Sequence, residues 1–259
     1  MKPKNLYQLS LVWFIVSIIS ACGQNIPKDN LILAKKCDEV AKTYLQLGVE
    51  YMRRDKNDIA LGRLQKALEI DQNCAEAHNA IAVLYERVGL DAKAIQHYQK
   101  AISLKPNGSD VHNNYGQFLC KREQWQEADR HFLKALQNPV YSTPEIPYTN
   151  AGLCALRSKN AHKAETYLRK ALHKNPKFTR ALYQMANLSY EQKHYVQARE
   201  YLQRYLRIGK HTPQTLWLGI RIERILNHRD IEAKYILLLR KNFPDALETQ
   251  LLNQEQFSS

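Results

Sequence analysis

The sequence predicts an all-α chain, a stack of about six helix pairs, on three observations. A small residue recurs at Gly48, Ala82, Gly116, Gly152 and Ala186, with spacings of 34, 34, 36 and 34 residues. Twelve residues after each comes an alanine (Ala60, Ala94, Ala128, Ala164, Ala198), and in the first four a second alanine follows at Ala67, Ala101, Ala135 and Ala171. Only 9 glycines occur in 259 residues, which disfavours a many-turned β fold and glycine-rich phosphate loops. A fixed period of this length is the mark of a repeat architecture, in which one unit cannot bury its apolar face alone and neighbours complete the core.

The units can be taken in order. The first carries Tyr44, Leu47, Gly48, Tyr51, Ala60, Leu64 and Ala67. The second carries His78, Ile81, Ala82, Tyr85, Ala94, Tyr98, Ala101 and Pro106, and the third His112, Tyr115, Gly116, Leu119, Ala128, Phe132 and Ala135. The fourth has Tyr148, Ala151, Gly152, Ala155, Ala164, Leu168, Ala171 and Pro176. The fifth has Leu182, Met185, Ala186, Ala198 and Leu202, with Tyr205 where an alanine is expected. A degenerate sixth follows Pro213, with Trp217, Ile220, Ala233, Leu237 and Pro244. Small residues belong where two helices cross closely, large ones fill the seam, and a proline ends the second helix because it cannot continue it.

This pattern resembles the tetratricopeptide repeat over about residues 41–247. The resemblance implies two antiparallel helices per unit, A and B, and a right-handed superhelix whose concave groove is lined by the A helices. The expected units are 41–74, 75–108, 109–144, 145–178, 179–212 and 214–247, with a C-terminal tail at 248–259. Between units three and four, Pro139, Pro144 and Pro147 and two extra residues forbid a simple helical link. That stretch reads either as an extended connection that changes the stacking or as a tolerated loop insertion.

Residues 1–21 read as a secretory signal. Lys2 and Lys4 precede an uncharged run from Leu9 to Ile19, too short to span a bilayer. Small residues then lead directly to Cys22. This resembles a bacterial lipoprotein signal, which implies lipidation of Cys22, an acylated N-terminus and tether over 22–40, and, with Gly23 next, an outer-membrane address facing the periplasm. The alternative is an ordinary signal cut near Ala21.

The formal charge of +13 falls to +11 once Lys2 and Lys4 are removed. In an exported chain the positive charge reads as solvated helix faces, or as attraction to anionic headgroups or an acidic partner, and no nucleic-acid partner is expected. The 9 histidines form no His-Glu-x-x-His pattern, and no paired Cys-x-x-Cys supports zinc. No nucleophile elbow and no Gly-Lys-Ser/Thr loop are present. His78 and His112 fall at the large seam position, so packing accounts for them. We expect no catalytic residues, no metal, no cofactor and no small-molecule substrate.

With Cys22 acylated, Cys37, Cys74, Cys120 and Cys154 remain, an even number that an oxidising compartment allows to pair. Cys120 and Cys154 lie late in the A helices of units three and four, so a disulfide between them is geometrically reasonable. The alternative is two small buried thiols. Cys37 and Cys74 flank the first unit and offer a second pair.

In tetratricopeptide arrays the groove is lined by the second, fifth, ninth and twelfth residues of helix A. Here these are Lys42, Leu45, Val49 and Met52 in the first unit, an apolar set that suits a hydrophobic peptide. The stretch 31–40 could instead fold over it. In the next two units Asn79, Val83, Asn113 and Gln117 occupy such positions, with Glu76, Glu86, Asp110 and Cys120.

The run from Val111 to Cys120, with Asn138, Pro139, Tyr141, Thr143 and Pro144 and then Asn150 to Leu156, is more specific than the generic repeat. It resembles the type IV pilus biogenesis/stability lipoproteins of the PilF/PilW family. That likeness implies a pilotin-like adaptor that helps a PilQ-like type IV pilus secretin reach the outer membrane and multimerise, or that stabilises pili. The runner-up is a repeat lipoprotein of outer-membrane β-barrel assembly. A third reading, an envelope hydrolase, predicts a catalytic carboxylate in a deep cleft.

Overall fold

The computed structural model describes residues 37–257. The signal at 1–21, the lipidation expected at Cys22 and the tether up to residue 36 lie outside the described residues. The described part is all-α, and its helices come in pairs. These are α1 (Glu39–Arg53) with α2 (Asn57–Ile70), α3 (Ala75–Arg87) with α4 (Asp91–Leu104), α5 (Ser109–Lys121) with α6 (Trp125–Ala135), α7 (Glu145–Arg157) with α8 (Ala161–Lys174), α9 (Thr179–Glu191) with α10 (Tyr195–Leu206), and α11 (Pro213–Ile225) with α12 (Arg229–Asn242). A last helix, α13 (Leu247–Phe257), follows.

The small residues do what their spacing predicts. A Cβ built on Gly48 would stand 2.6 Å from the Leu64 side chain, and one on Gly116 would stand 2.9 Å from the Phe132 ring. Larger groups there would push the two helices of the pair apart. Ala60, Ala94, Ala128, Ala164 and Ala198 are fully buried at the same crossings. Leu64, Tyr98, Phe132 and Leu168 fill the seam between them.

Each A helix ends on a residue in the left-handed region: Asp55, Gly89, Glu123, Lys159, Lys193 and Asn227. That conformation reverses the chain into the following B helix. Its backbone N–H neighbours serve the helix end, as in the bond from Gln124 N to Leu119 O at 3.0 Å. The turn is therefore set by position in the unit rather than by a glycine at each site.

Consecutive A helices pack on one another along the whole stack, and each B helix packs on the next A helix. Among the described residues no B helix packs on the next B helix. Helices on the inside of a curve lie closer together than those outside, so the A helices form the concave face. The prolines between units three and four do not interrupt this order, because α5 packs on α7 as α3 packs on α5. The extra residues project instead as a surface loop, with Val140 84% exposed. Tyr141 ties the loop down by donating its hydroxyl to Asp110 Oδ1 at 2.8 Å.

Two expectations for the C-terminal end need correction. In the sixth unit the close crossing falls at Gly219, whose Cβ would meet the Tyr235 ring at 2.8 Å, so the register runs two residues ahead of the one read from Trp217, Ile220 and Leu237. Leu237, expected in the seam, is 65% exposed, while Leu239 is fully buried. Residues 247–257 are also not a tail. They form α13, which buries Leu252 against Leu216, Ile220 and Leu239. A stack of helix pairs leaves the apolar side of its last pair open, and α13 covers it.

Candidate protein-binding groove

The first three A helices build a groove of about 820 Å3. Its apolar wall comes from Leu45 and Val49 on α1 and from Ala80 and Val83 on α3. Its polar side comes from Asn79, Asn114 and Arg87. Asn114 Nδ2 donates to Asn79 Oδ1 at 3.3 Å, which links α5 to α3 across the floor. Arg87 donates to the Met52 carbonyl and pairs with Asp55 at 3.1 Å, which fixes the end of α1 against α3.

Of the sequence-expected residues, the groove brings together Leu45, Val49, Met52, Asn79 and Val83. Met52 is only 6% exposed and supports the wall from behind. Lys42 is not part of the lining; its ammonium pairs with Glu39 at 2.6 Å. Asn113 is buried and accepts from Asn150 Nδ2 at 2.8 Å, so it joins α5 to α7 rather than facing the groove. Gln117 lies in an adjoining polar cleft of about 450 Å3 with Glu86, Lys121 and Arg122. That cleft shares Val83, Arg87 and Asn114 with the groove, so the two are continuous.

The residues missed by sequence, Ala80, Arg87 and Asn114, each follow an expected position by one residue or complete the same face. On α5 the helical phase borrowed from the repeat class was one residue early at Asn113, with Asn114 facing the groove, and held at Gln117. A cation recurring at Arg53, Arg87, Lys121 and Arg157 was the overlooked signal.

Glu86 organises the polar cleft. Its carboxylate pairs with Lys121 at 2.6 Å and accepts from the Tyr98 hydroxyl at 3.1 Å. Burial, and then the Glu86 charge, pushes the Tyr98 hydroxyl far above its ordinary range, so it remains a proton donor at any physiological pH. Arg122 pairs with Asp91 at 2.8 Å and lies 3.8 Å over the Phe118 ring.

Two disulfides brace the site. Cys37 joins Cys74, with Cα atoms 4.6 Å apart, and holds the start of α1 against the start of α3. Asp38 then caps α1 by accepting from Val40 N at 2.8 Å, and its own N–H donates to Asp71 at 3.0 Å. Cys120 joins Cys154, with Cα atoms 5.8 Å apart, and ties α5 to α7. Among the described residues no group of three or more His, Cys, Asp or Glu side chains is placed to hold a metal ion.

Comparison with known proteins gives this groove a family context. Tetratricopeptide-repeat family models match residues 45–109, 97–130 and 155–214. The type IV pilus assembly protein PilF of Pseudomonas aeruginosa is 32% identical over 247 residues, 95% of this chain and 98% of that protein. An uncharacterized protein of Haemophilus influenzae is 33% identical over 127 residues, 49% of this chain and 69% of that protein. The solved structure of Pseudomonas aeruginosa PilF superposes with a TM-score of 0.75 at 34% identity, covering 84% of this chain and 98% of that one. PilW, described as a widely conserved type IV pilus biogenesis factor, superposes with a TM-score of 0.74 at 30% identity, covering 83% and 99%. With identity spread along nearly the full length of both sequences and the same stack of helix pairs, this chain belongs to the PilF/PilW family of tetratricopeptide-repeat type IV pilus biogenesis proteins.

Proposed function

We propose that the chain is a pilotin-like adaptor: an outer-membrane lipoprotein, facing the periplasm, that supports localisation and multimerisation of the type IV pilus secretin and catalyses nothing itself. The observation that carries this reading is the groove across α1, α3 and α5, with an apolar wall and a polar floor, in a chain of this family. An extended segment would set its apolar side chains against Leu45, Val49 and Val83. Its backbone would meet the amides of Asn79 and Asn114. Acylation at Cys22 would supply the anchor, and two or more acyl chains make such an anchor effectively permanent, at about 0.8 kcal/mol per buried methylene.

The test is a charge placed in the wall. Leu45→Asp or Val49→Asp should abolish secretin multimers in cell envelopes while the purified variant keeps its helical circular dichroism and cooperative unfolding. Normal multimers in a folded, membrane-located variant would reject the groove as the secretin site. Capture of β-barrel insertion machinery in place of the secretin would move the chain to the other class of adaptor.

A further inference from the structure

The charge of the described residues is unevenly placed. Residues 37–144 hold 14 Lys and Arg against 14 Asp and Glu, whereas residues 145–257 hold 19 against 10. On the concave face the change begins at α7. Each cation of the recurring ladder before it is neutralised: Arg53 by Glu50, Arg87 by Asp55, Lys121 by Glu86. Arg157, the next in line, has no ion-pair partner among the described residues. What the next A helix brings up to it is a second cation, Arg180.

Arg157 and Arg180 line a cleft of about 90 Å3 between α5, α7 and α9, together with Lys121, Gln117 and Asn150. Burial, and then the Arg157 charge, holds the Arg180 guanidinium below its usual range. Two guanidiniums facing one cleft without a carboxylate are an unfavourable arrangement for the isolated fold, and an anion between them would relieve it. Asn150 gives an independent sign. It is 4% exposed, its Nδ2 is used on Asn113, and its Oδ1 is buried in the same cleft with no partner. A buried acceptor left open costs free energy that an incoming N–H recovers. The Cys120–Cys154 disulfide forms part of the cleft wall and fixes α5 relative to α7.

We propose that this cleft is an acidic-residue subsite: it takes the carboxylate of an Asp or Glu side chain from an extended protein segment lying on the concave face, with Arg157 and Arg180 as the carboxylate ligands and Asn150 accepting a backbone N–H. The cleft has room for one carboxylate group, not for a larger ligand. It lies on the inner curve of the stack, which a strand-like peptide can follow and a flat lipid surface cannot. The subsite does not depend on the identity of the partner or on the apolar groove beyond Val83.

The test uses the purified full chain in detergent micelles and two fluorescein-labelled hexapeptides, Ser-Glu-Ser-Glu-Ser-Gly and the same sequence with glutamine for glutamate. Fluorescence anisotropy should show the glutamate peptide binding about tenfold more tightly, and an Arg157→Gln/Arg180→Gln chain should lose that preference. Lys170→Gln, a change of the same charge on α8, should keep it, and so should Leu45→Asp, which separates this subsite from the apolar groove. Because the pair is repulsive, Arg180→Gln should melt at or above the parent temperature. Equal binding of the two peptides, or an unchanged preference in the double variant, would overturn the proposal. So would a fall of several degrees in the Arg180→Gln melting temperature, which would make the pair structural. If the double variant instead lost only its binding to phosphatidylglycerol vesicles, the arginines would face a membrane and the peptide subsite would be wrong.

Discussion

His112 Nδ1 lies 2.8 Å from His131 Nδ1, and the same contact recurs one unit earlier between His78 and His97 at 3.0 Å. The tautomers follow from the outer partners. His112 Nε2 is 2.8 Å from the Pro106 carbonyl, so it carries the hydrogen and donates it. Its Nδ1 is then the acceptor, and His131 Nδ1 must be the donor. Such a pair accommodates one added proton at most, because two imidazolium rings would point N–H at N–H.

Stability should therefore fall in mildly acidic solution. Burial lowers all four imidazoles, and His131 goes to about 4, helped by His112, Arg130 and Lys134. In the unfolded chain they titrate near 6.5. Below that pH the unfolded state binds more protons, so the contribution is complete above about pH 7 and is lost as pH falls toward 4. Carboxylates held down by cations, such as Glu165 beside Arg169, titrate lower and leave the window from pH 7 to 5 to the imidazoles. Urea midpoints should drop across that window in the parent. In His97→Gln/His131→Gln the drop should shrink without vanishing, since glutamine supplies the donor without titrating while His78, His112 and His211, also lowered by burial, still take up protons. Parallel slopes in the two proteins would remove the histidine pairs as the cause.

Two glycines in helices should respond in opposite directions to the same change. Nothing lies within 4 Å of a Cβ added at Gly62, so Gly62→Ala should stabilise by about 0.5–1 kcal/mol through helix propensity alone. At Gly116 the added Cβ meets the Phe132 ring at 2.9 Å and the Ala128 carbonyl at 3.2 Å. Gly116→Ala should therefore cost roughly 1–3 kcal/mol by overpacking. Denaturant unfolding of both variants checks the pair.

That contrast also shows what the sequence made legible. The small, alanine and large positions announce the helix crossings because packing at a crossing tolerates few residue types. Lys42, Asn113 and Asn114 behave differently. A one-residue change of phase decides which of the two asparagines faces the groove, and a periodicity cannot resolve that. The positions equivalent to His97 and His131 hold Arg63, Tyr167 and Tyr201 in other units, so the repeat does not announce the pairs and the coordinates do. The last unit was misread because α13 supplies part of its core, and the repeat pattern contains no term for a covering helix.

The turn after each A helix gives a third prediction. Glu123 has φ 61° and Lys159 φ 59°, a region that costs a non-glycine residue roughly 1–2 kcal/mol, while Gly89 occupies the same place with φ 76°. Glu123→Gly should raise stability by about 0.5–1 kcal/mol, the relief of strain being partly offset by a freer unfolded chain. Gly89→Val should lower it by more than 1 kcal/mol. No change in either variant, measured by urea unfolding, would mean that the turn is held by its neighbours regardless of φ.

The two disulfides should separate into one that supports the groove and one that supports the stack. Cys37–Cys74 fixes the entry of α1, which carries Leu45 and Val49 along its middle, whereas Cys120–Cys154 joins α5 to α7 away from that wall. A closed loop of 34 residues is worth about 3–4 kcal/mol in the chain-entropy description, and the 37-residue loop about the same. Cys37→Ser/Cys74→Ser and Cys120→Ser/Cys154→Ser should thus lose comparable stability. Hydrogen exchange should differ. The first variant should lose protection over residues 39–52 while α5 and α7 stay protected, because fraying begins at a free helix start whose Asp38–Asp71 bond is no longer enforced. The second should lose protection across α5, α7 and the loop between them, with α1 unaffected. If both variants exchanged alike along the whole stack, the repeats would be opening as one cooperative block, and the groove could not be loosened without unfolding the array.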